Sequence, residues 1–177
     1  MMNSDRGDSG KYLDGVGTPG RSGEKIVLCS PVSGKVIPLG SVPDPAFAEN
    51  MMGKGAAILP ERGEVFAPAD GVVETVADTR HAVGFRADTG VELLIHVGIE
   101  TVKLKGRFFR VFVSEGDRVR KGDVLIRFDV DGIISAGHSP AIPVTVINSD
   151  EYESVAATES ASVESGEPLL YVTKGRK

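Results

Sequence analysis

Apolar residues recur along this chain in short runs, often with apolar and polar positions alternating, and Gly, Pro, Asn or Asp closes each run. A period of two belongs to half-buried strands rather than to helices. The runs are Lys25–Cys29, Gly34–Leu39, Ala56–Leu59, Gly63–Phe66, Gly71–Ala77, His81–Ala87, Val91–Val97, Arg107–Val113, Asp123–Asp129, Ala141–Ile147 and Pro168–Thr173. Many short strands at such spacing predict an all-β fold, an antiparallel β-sandwich or barrel-like single domain with little helix. Helix is expected in two places. Pro45–Met52 has room for one or two turns after Asp44, and Asp131–Gly137 for a loose turn, although its paired isoleucines also suit a strand.

Two segments echo each other. Ser30-Pro31-Val32-Ser33-Gly34-Lys35-Val36 and Ala67-Pro68-Ala69-Asp70-Gly71-Val72-Val73 both read as a turn feeding a strand. Between Glu115 and Leu125, Gly-Asp pairs (Gly116-Asp117 and Gly122-Asp123) close a loop at both ends. Turn geometry is reason enough for these glycines.

The first 24 residues break the strand pattern: six glycines, mixed charges and few apolar groups. Such a segment buries too little to offset its ordering entropy, so residues 1–24 are expected to be a disordered tail and residues 25–177 the folded domain. A chain of 177 residues suits one domain. Net charge −5 argues against nucleic acid. One cysteine, Cys29, allows no internal disulfide and points to a reducing compartment. The sequence holds no apolar run of membrane-spanning length and no signal-peptide block. A cytoplasmic location is expected, with no direct membrane insertion. Met1 favours a free-standing domain over one cut from a longer protein.

The chemistry gathers in Thr79–Gly106, which holds two of the three histidines, His81 and His96, on either side of Asp88-Thr89-Gly90. Gly in such a turn supplies the positive φ of a tight hairpin. A two-residue loop places His81 diagonal to His96, and a four-residue loop places them face to face. A three-residue loop puts them on opposite faces, because side chains alternate. The expectation is therefore an even-length turn, with the imidazoles within reach across the strands.

Three chemistries compete for that pair. Each histidine is structural in the first. In the second, a β-rich zinc hydrolase, Glu92, Glu100 or Asp88 supplies a third ligand, although no His-x-His or His-Glu-x-x-His accompanies the pair. In the third, a neutral imidazole attacks a phosphoryl group and holds it as a phosphoramidate. A neighbouring imidazole then donates to the phosphoryl oxygens. The Thr79 hydroxyl is placed to orient His81, and backbone near Val97-Gly98 to fix the tautomer of His96. No phosphate-binding Gly-x-x-x-x-Gly-Lys-Ser/Thr loop is present, so the donor need not be a nucleotide. In this third chemistry the phosphoryl group would have to arrive from another phosphoprotein.

From about Ile26 to Thr173 the chain resembles the glucose-family IIA domain of the bacterial phosphoenolpyruvate-dependent sugar phosphotransferase system. The resemblance is carried by Val42-Pro43-Asp44-Pro45-Ala46-Phe47-Ala48-Glu49, Phe66-Ala67-Pro68-Ala69-Asp70-Gly71 and Asp78-Thr79-Arg80-His81-Ala82. It continues through Gly90-Val91-Glu92-Leu93-Leu94-Ile95-His96-Val97-Gly98-Ile99-Glu100-Thr101-Val102 and Leu104-Lys105-Gly106. The Ala67–Gly71 turn is also similar to biotinyl and lipoyl carrier domains, but Asp88-Thr89-Gly90 offers no lysine to modify.

The resemblance implies that His96 is phosphorylated at Nε2 by the phosphocarrier protein HPr and that His81 stabilises the group in transit. It implies that Thr79 and Gly98 orient the two imidazoles and that a cysteine of a IIB domain on a sugar permease is the acceptor. Phe47, Met52 and Val102 match positions of an apolar docking patch; Asp44 and Glu100 match acidic positions that meet a basic rim on HPr. No cofactor is implied, although family members also bind regulatory targets when unphosphorylated, sometimes with zinc shared between the two histidines and a partner carboxylate. Here Glu100 stands where Asp is usual and Ala77 where some relatives carry Phe. His138 matches no functional position and is expected to be an exposed loop residue. Residues 1–24 lack the amphipathic character of a membrane-associating tail.

Overall fold

The structure, a computed structural model, describes residues 23–175. The expected disordered tail therefore lies outside the described residues except at its end. Gly23 and Glu24 pair with the C-terminal strand: Gly23 N donates to Lys174 O at 2.8 Å and Lys174 N to Glu24 O at 2.9 Å. The pairing thus starts two residues earlier than the composition suggests.

Among the described residues, fourteen strands alternate with very little helix. They are β1 (Lys25–Cys29), β2 (Gly34–Pro38), β3 (Lys54–Pro60), β4 (Glu64–Phe66), β5 (Gly71–Val76), β6 (Ala82–Ala87), β7 (Glu92–His96), β8 (Phe109–Val111), β9 (Arg118–Val119), β10 (Val124–Phe128), β11 (Ile142–Val146), β12 (Ser154–Ala157), β13 (Ser162–Val163) and β14 (Pro168–Thr173). One sheet runs β13-β2-β3-β11-β7-β6-β5-β9, and two three-stranded sheets run β1-β14-β12 and β4-β10-β8. Neighbouring strands pair antiparallel, as the alternation predicts. Strands β9, β12 and β13 have no counterpart among the expected runs. Two of them are two residues long, and β12 reads Ser-Val-Ala-Ala, with too little apolar alternation to register.

The two echoed segments share a backbone device. At Gly34 a Cβ would lie 2.1 Å from Leu59 O, and at Gly71 it would lie 2.2 Å from Arg86 O. Both strands begin where a neighbouring strand approaches too closely for any side chain.

The large sheet is apolar on both faces around its centre. Ile58, Val83, Phe85, Leu93, Ile95, Ile142 and Val144 belong to the main core, closed by the two smaller sheets through Leu28, Leu125, Ile126, Leu169 and Leu170. A second cluster of Leu39, Val42, Phe47, Ala57, Ile99 and Ala141 packs with Leu94. The connection between β2 and β3 covers this cluster. There Asp44 caps the short helix α1 (Pro45–Ala48), its Oδ1 accepting from Ala46 N at 3.0 Å, with Pro45 pre-set in the first turn. The cap delivers Phe47, 4% exposed, into the cluster; such burial is worth about 2–3 kcal/mol. The second expected helix forms as α2 (Val130–Ser135), capped by Asp129.

The hairpin turn differs from expectation. Gly90 N donates to Ala87 O and Ala87 N to Val91 O, both at 2.9 Å, so Asp88, Thr89 and Gly90 form a three-residue turn, with Gly90 at φ +100°. Arg86 faces Glu92 and Ala82 faces His96. After the two-residue loop, a three-residue loop with glycine in the left-handed position is among the next most common hairpin connections. The predicted even length was wrong.

Candidate functional site

Alternation across a three-residue hairpin would send His81 to the face opposite His96. Instead the rings meet: their centroids are 4.7 Å apart and their planes lie 80° to one another. The reason is that β6 starts at Ala82, and His81 belongs to the bend before it. Arg80 at φ +65° turns the chain there, so the strand rule no longer decides where the His81 side chain goes. The backbone still closes the sheet end, with Val97 N donating to His81 O at 2.7 Å.

Each imidazole is fixed through Nδ1. His96 Nδ1 lies 2.7 Å from Gly98 O. A carbonyl only accepts, so this nitrogen carries the proton and Nε2 of the neutral ring keeps a free lone pair. Thr79 Oγ1 lies 2.8 Å from His81 Nδ1. When the hydroxyl donates there, the His81 proton sits on Nε2, free to donate elsewhere. Gly98 presents its carbonyl from φ +80°, where a Cβ would meet Thr101 Cγ2 at 2.5 Å. Buried Thr101 in turn donates from Oγ1 to Val97 O at 2.5 Å. Aromatic rings wall the pair: Phe47 lies 5.0 Å from His96 and Phe109 6.5 Å from His81.

Burial keeps both histidines neutral. His81 is pushed down to about 4, first by desolvation and then by His96. His96 is also lowered by desolvation, opposed by the bond to Gly98 and by the charge of Asp44. The His81 shift has a consequence for stability. Between pH 6.5 and 4 the unfolded chain binds a proton that the folded His81 refuses, so stability falls as pH falls. The loss should be about 2–3 kcal/mol by pH 4.5. Denaturant unfolding of the wild type and of His81→Gln at pH 7.5 and 4.5 checks this: the variant should lose that much less on acidification.

The residues named for docking occupy different depths. Met52 (37% exposed) and Val102 (51%) are on the surface, whereas Phe47 lies beneath His96 and offers a partner little area. Asp44 serves as the α1 cap as well as lending charge to His96. Glu100, in the left-handed region at φ +58°, pairs with Lys103 at 2.8 Å. That contact, more than any other, holds its carboxyl below the usual range.

His138 is not the exposed loop residue expected from sequence. It is half-buried, with Nδ1 3.0 Å from Ile99 O. Neither His138 nor Phe109 could be placed near the pair from sequence, since one comes from the connection between α2 and β11 and the other from β8. Among the described residues no three His, Cys, Asp or Glu side chains gather to hold a metal. An ion on His81 and His96 would need further ligands from a partner. No helix among the described residues is long and apolar enough to cross a membrane.

Residues 26–152 match the family described as phosphoenolpyruvate-dependent sugar phosphotransferase system, EIIA 1. The chain is 43% identical over 148 residues to the beta-glucoside-specific EIIBCA component of Bacillus subtilis, covering 84% of this chain but 24% of that protein. It thus spans about a quarter of the length of that larger relative. It is 42% identical over 144 residues to the glucose-specific EIIA component of Staphylococcus epidermidis, covering 81% of this chain and 87% of that one. The glucose permease IIA from Mycoplasma capricolum has the same fold, with a TM-score of 0.75 at 30% identity, covering 83% of this chain and 95% of that one. This chain, with its paired histidines at the end of the β6–β7 hairpin, belongs to the EIIA family of the phosphoenolpyruvate-dependent sugar phosphotransferase system.

Proposed function

We propose that the domain relays a phosphoryl group on Nε2 of His96, taking it from phosphorylated HPr and passing it to a IIB domain during sugar uptake. The observation that carries this reading is the 2.7 Å bond from His96 Nδ1 to Gly98 O, which leaves Nε2 as the free nitrogen beside His81. Nε2 attacks phosphorus, the bond to the donor breaks, and its electron pair leaves with the donor. The phosphorylated ring keeps the proton on Nδ1, so its positive charge is shared with the Gly98 carbonyl. A cysteine thiolate of the IIB domain then attacks the same phosphorus. The P–Nε2 bond breaks, its electron pair returns to the ring, and the starting tautomer is restored.

His81 supplies a donor where charge gathers on the phosphoryl oxygens. The exposed Met52 and Val102 offer apolar area to a partner, and Asp44 and Glu100 offer negative charge to a basic one. The likeness to EIIBCA proteins, in which an EIIA part and an EIIB part share one name, supports the IIB acceptor. The test is a relay in solution. Incubation with phosphorylated HPr and labelled phosphate should place one acid-labile phosphate on His96, located by mass spectrometry, and adding a IIB domain should remove it. Label on another residue, or no uptake, would overturn the reading.

A further inference from the structure

His138 is the one histidine for which the proposed relay has no use, yet it lies against the loop on which that relay depends. It follows α2, and its backbone N donates to Ile133 O at 3.1 Å, which ties it to that helix. Its Nδ1 faces Ile99 O at 3.0 Å and must carry the proton, because the carbonyl only accepts. His96 makes the same bond one residue earlier, from Nδ1 to Gly98 O. Two imidazoles therefore donate into two successive carbonyls of one loop.

The same strand-leading segment grips that loop through its backbone. Ile99 N donates to Ser139 O and Gly98 N to Ala141 O, both at 3.0 Å. The loop needs holding. Gly98 is at φ +80° and Glu100 at φ +58°, and a non-glycine residue in that region is of higher energy unless its surroundings fix it. Rotation of the Ile99 peptide would disturb its neighbour, the Gly98 peptide whose carbonyl selects the His96 tautomer.

Resting on the reading of His96 as the phosphoryl carrier, we propose that His138 is a positioning residue for His96. It holds the Ile99 carbonyl, and with it the Gly98 carbonyl, so that the His96 proton stays on Nδ1 and Nε2 stays free. It touches no reacting atom. The effect runs through one hydrogen bond and one peptide unit, and a change in tautomer is its signature.

The experiment is 15N NMR of the histidine rings of the full chain at pH 7.5, with phosphoryl uptake from HPr measured on the same samples. In the wild type His96 should show the Nδ1–H tautomer. His138→Ala should shift it towards a mixture and slow uptake about tenfold, the size of one lost hydrogen bond. His138→Asn, whose amide nitrogen falls near the place of Nδ1, should restore both. If the alanine variant does not fold, His138→Leu takes its place, similar in bulk to the imidazole and without a donor. An unchanged His96 tautomer in the variant lacking the donor overturns the proposal, as does failure of asparagine to restore it. A wild type that takes up no phosphate, with a tautomer that still responds to His138, overturns the relay instead.

Discussion

Replacing His96 by glutamine should abolish phosphoryl uptake from HPr while leaving the fold intact. His96 sits at the end of β7, half-buried, and its ring packs on Phe47 without entering the main core. Glutamine is of similar length and polarity, and the loop keeps its backbone bonds from Gly98 N to Ala141 O and from Ile99 N to Ser139 O, both at 3.0 Å. What is lost is the lone pair on Nε2, for which an amide nitrogen is no substitute. Removing a nucleophile typically costs several orders of magnitude, so uptake should fall by at least about a thousandfold. Labelled-phosphate uptake alongside a thermal melt checks this. Uptake near the wild-type rate by a folded variant would mean that the phosphoryl group resides elsewhere.

The route from sequence to this site was uneven, and the reasons are physical. Strands such as β7 and β11 were legible because they alternate or run apolar between turn residues, and α1 because Asp44-Pro45 is a cap followed by a first-turn proline. Local blocks also brought Thr79 near His81 and Gly98 near His96, two residues apart in each case. The turn was not legible in the same way. Asp-Thr-Gly suits loops of two, three or four residues, and only sheet pairing selects among them. His81 shows how a correct proximity can arise from an incorrect register: the strand ends one residue too soon for the rule to apply.

Contacts that depend on distant segments left no local trace. Phe109 reaches His81 from β8, and His138 reaches Ile99 from the connection between α2 and β11. Neither position differs in sequence from an ordinary core phenylalanine or loop histidine. The second apolar cluster was hidden for a related reason: Ala57 and Leu94 face it only because β3 and β7 are central strands covered on both sides.

His81→Gln should separate the two halves of the relay. In the proposed relay, acceptance at His96 needs a free Nε2 and a donor for the phosphoryl oxygens, and the glutamine amide can be that donor. At neutral pH the native His81 is itself uncharged in the free domain, being pushed down to about 4, so no positive charge is lost in this half. Once the phosphoryl group is bound, its negative charge stands beside His81 and raises the pKa of that ring, since an adjacent opposite charge favours the protonated form. The imidazolium then offers the departing phosphoryl group a charged donor, and a glutamine amide cannot take up that proton. Acceptance from HPr should stay within a few fold of wild type, while transfer to a IIB domain falls about 10²–10³-fold, the range for loss of one donor at developing charge. Single-turnover measurement of each half with labelled phosphate separates them. Equal losses in both halves would assign His81 to uptake as much as to release, and unimpaired onward transfer would remove it from the chemistry.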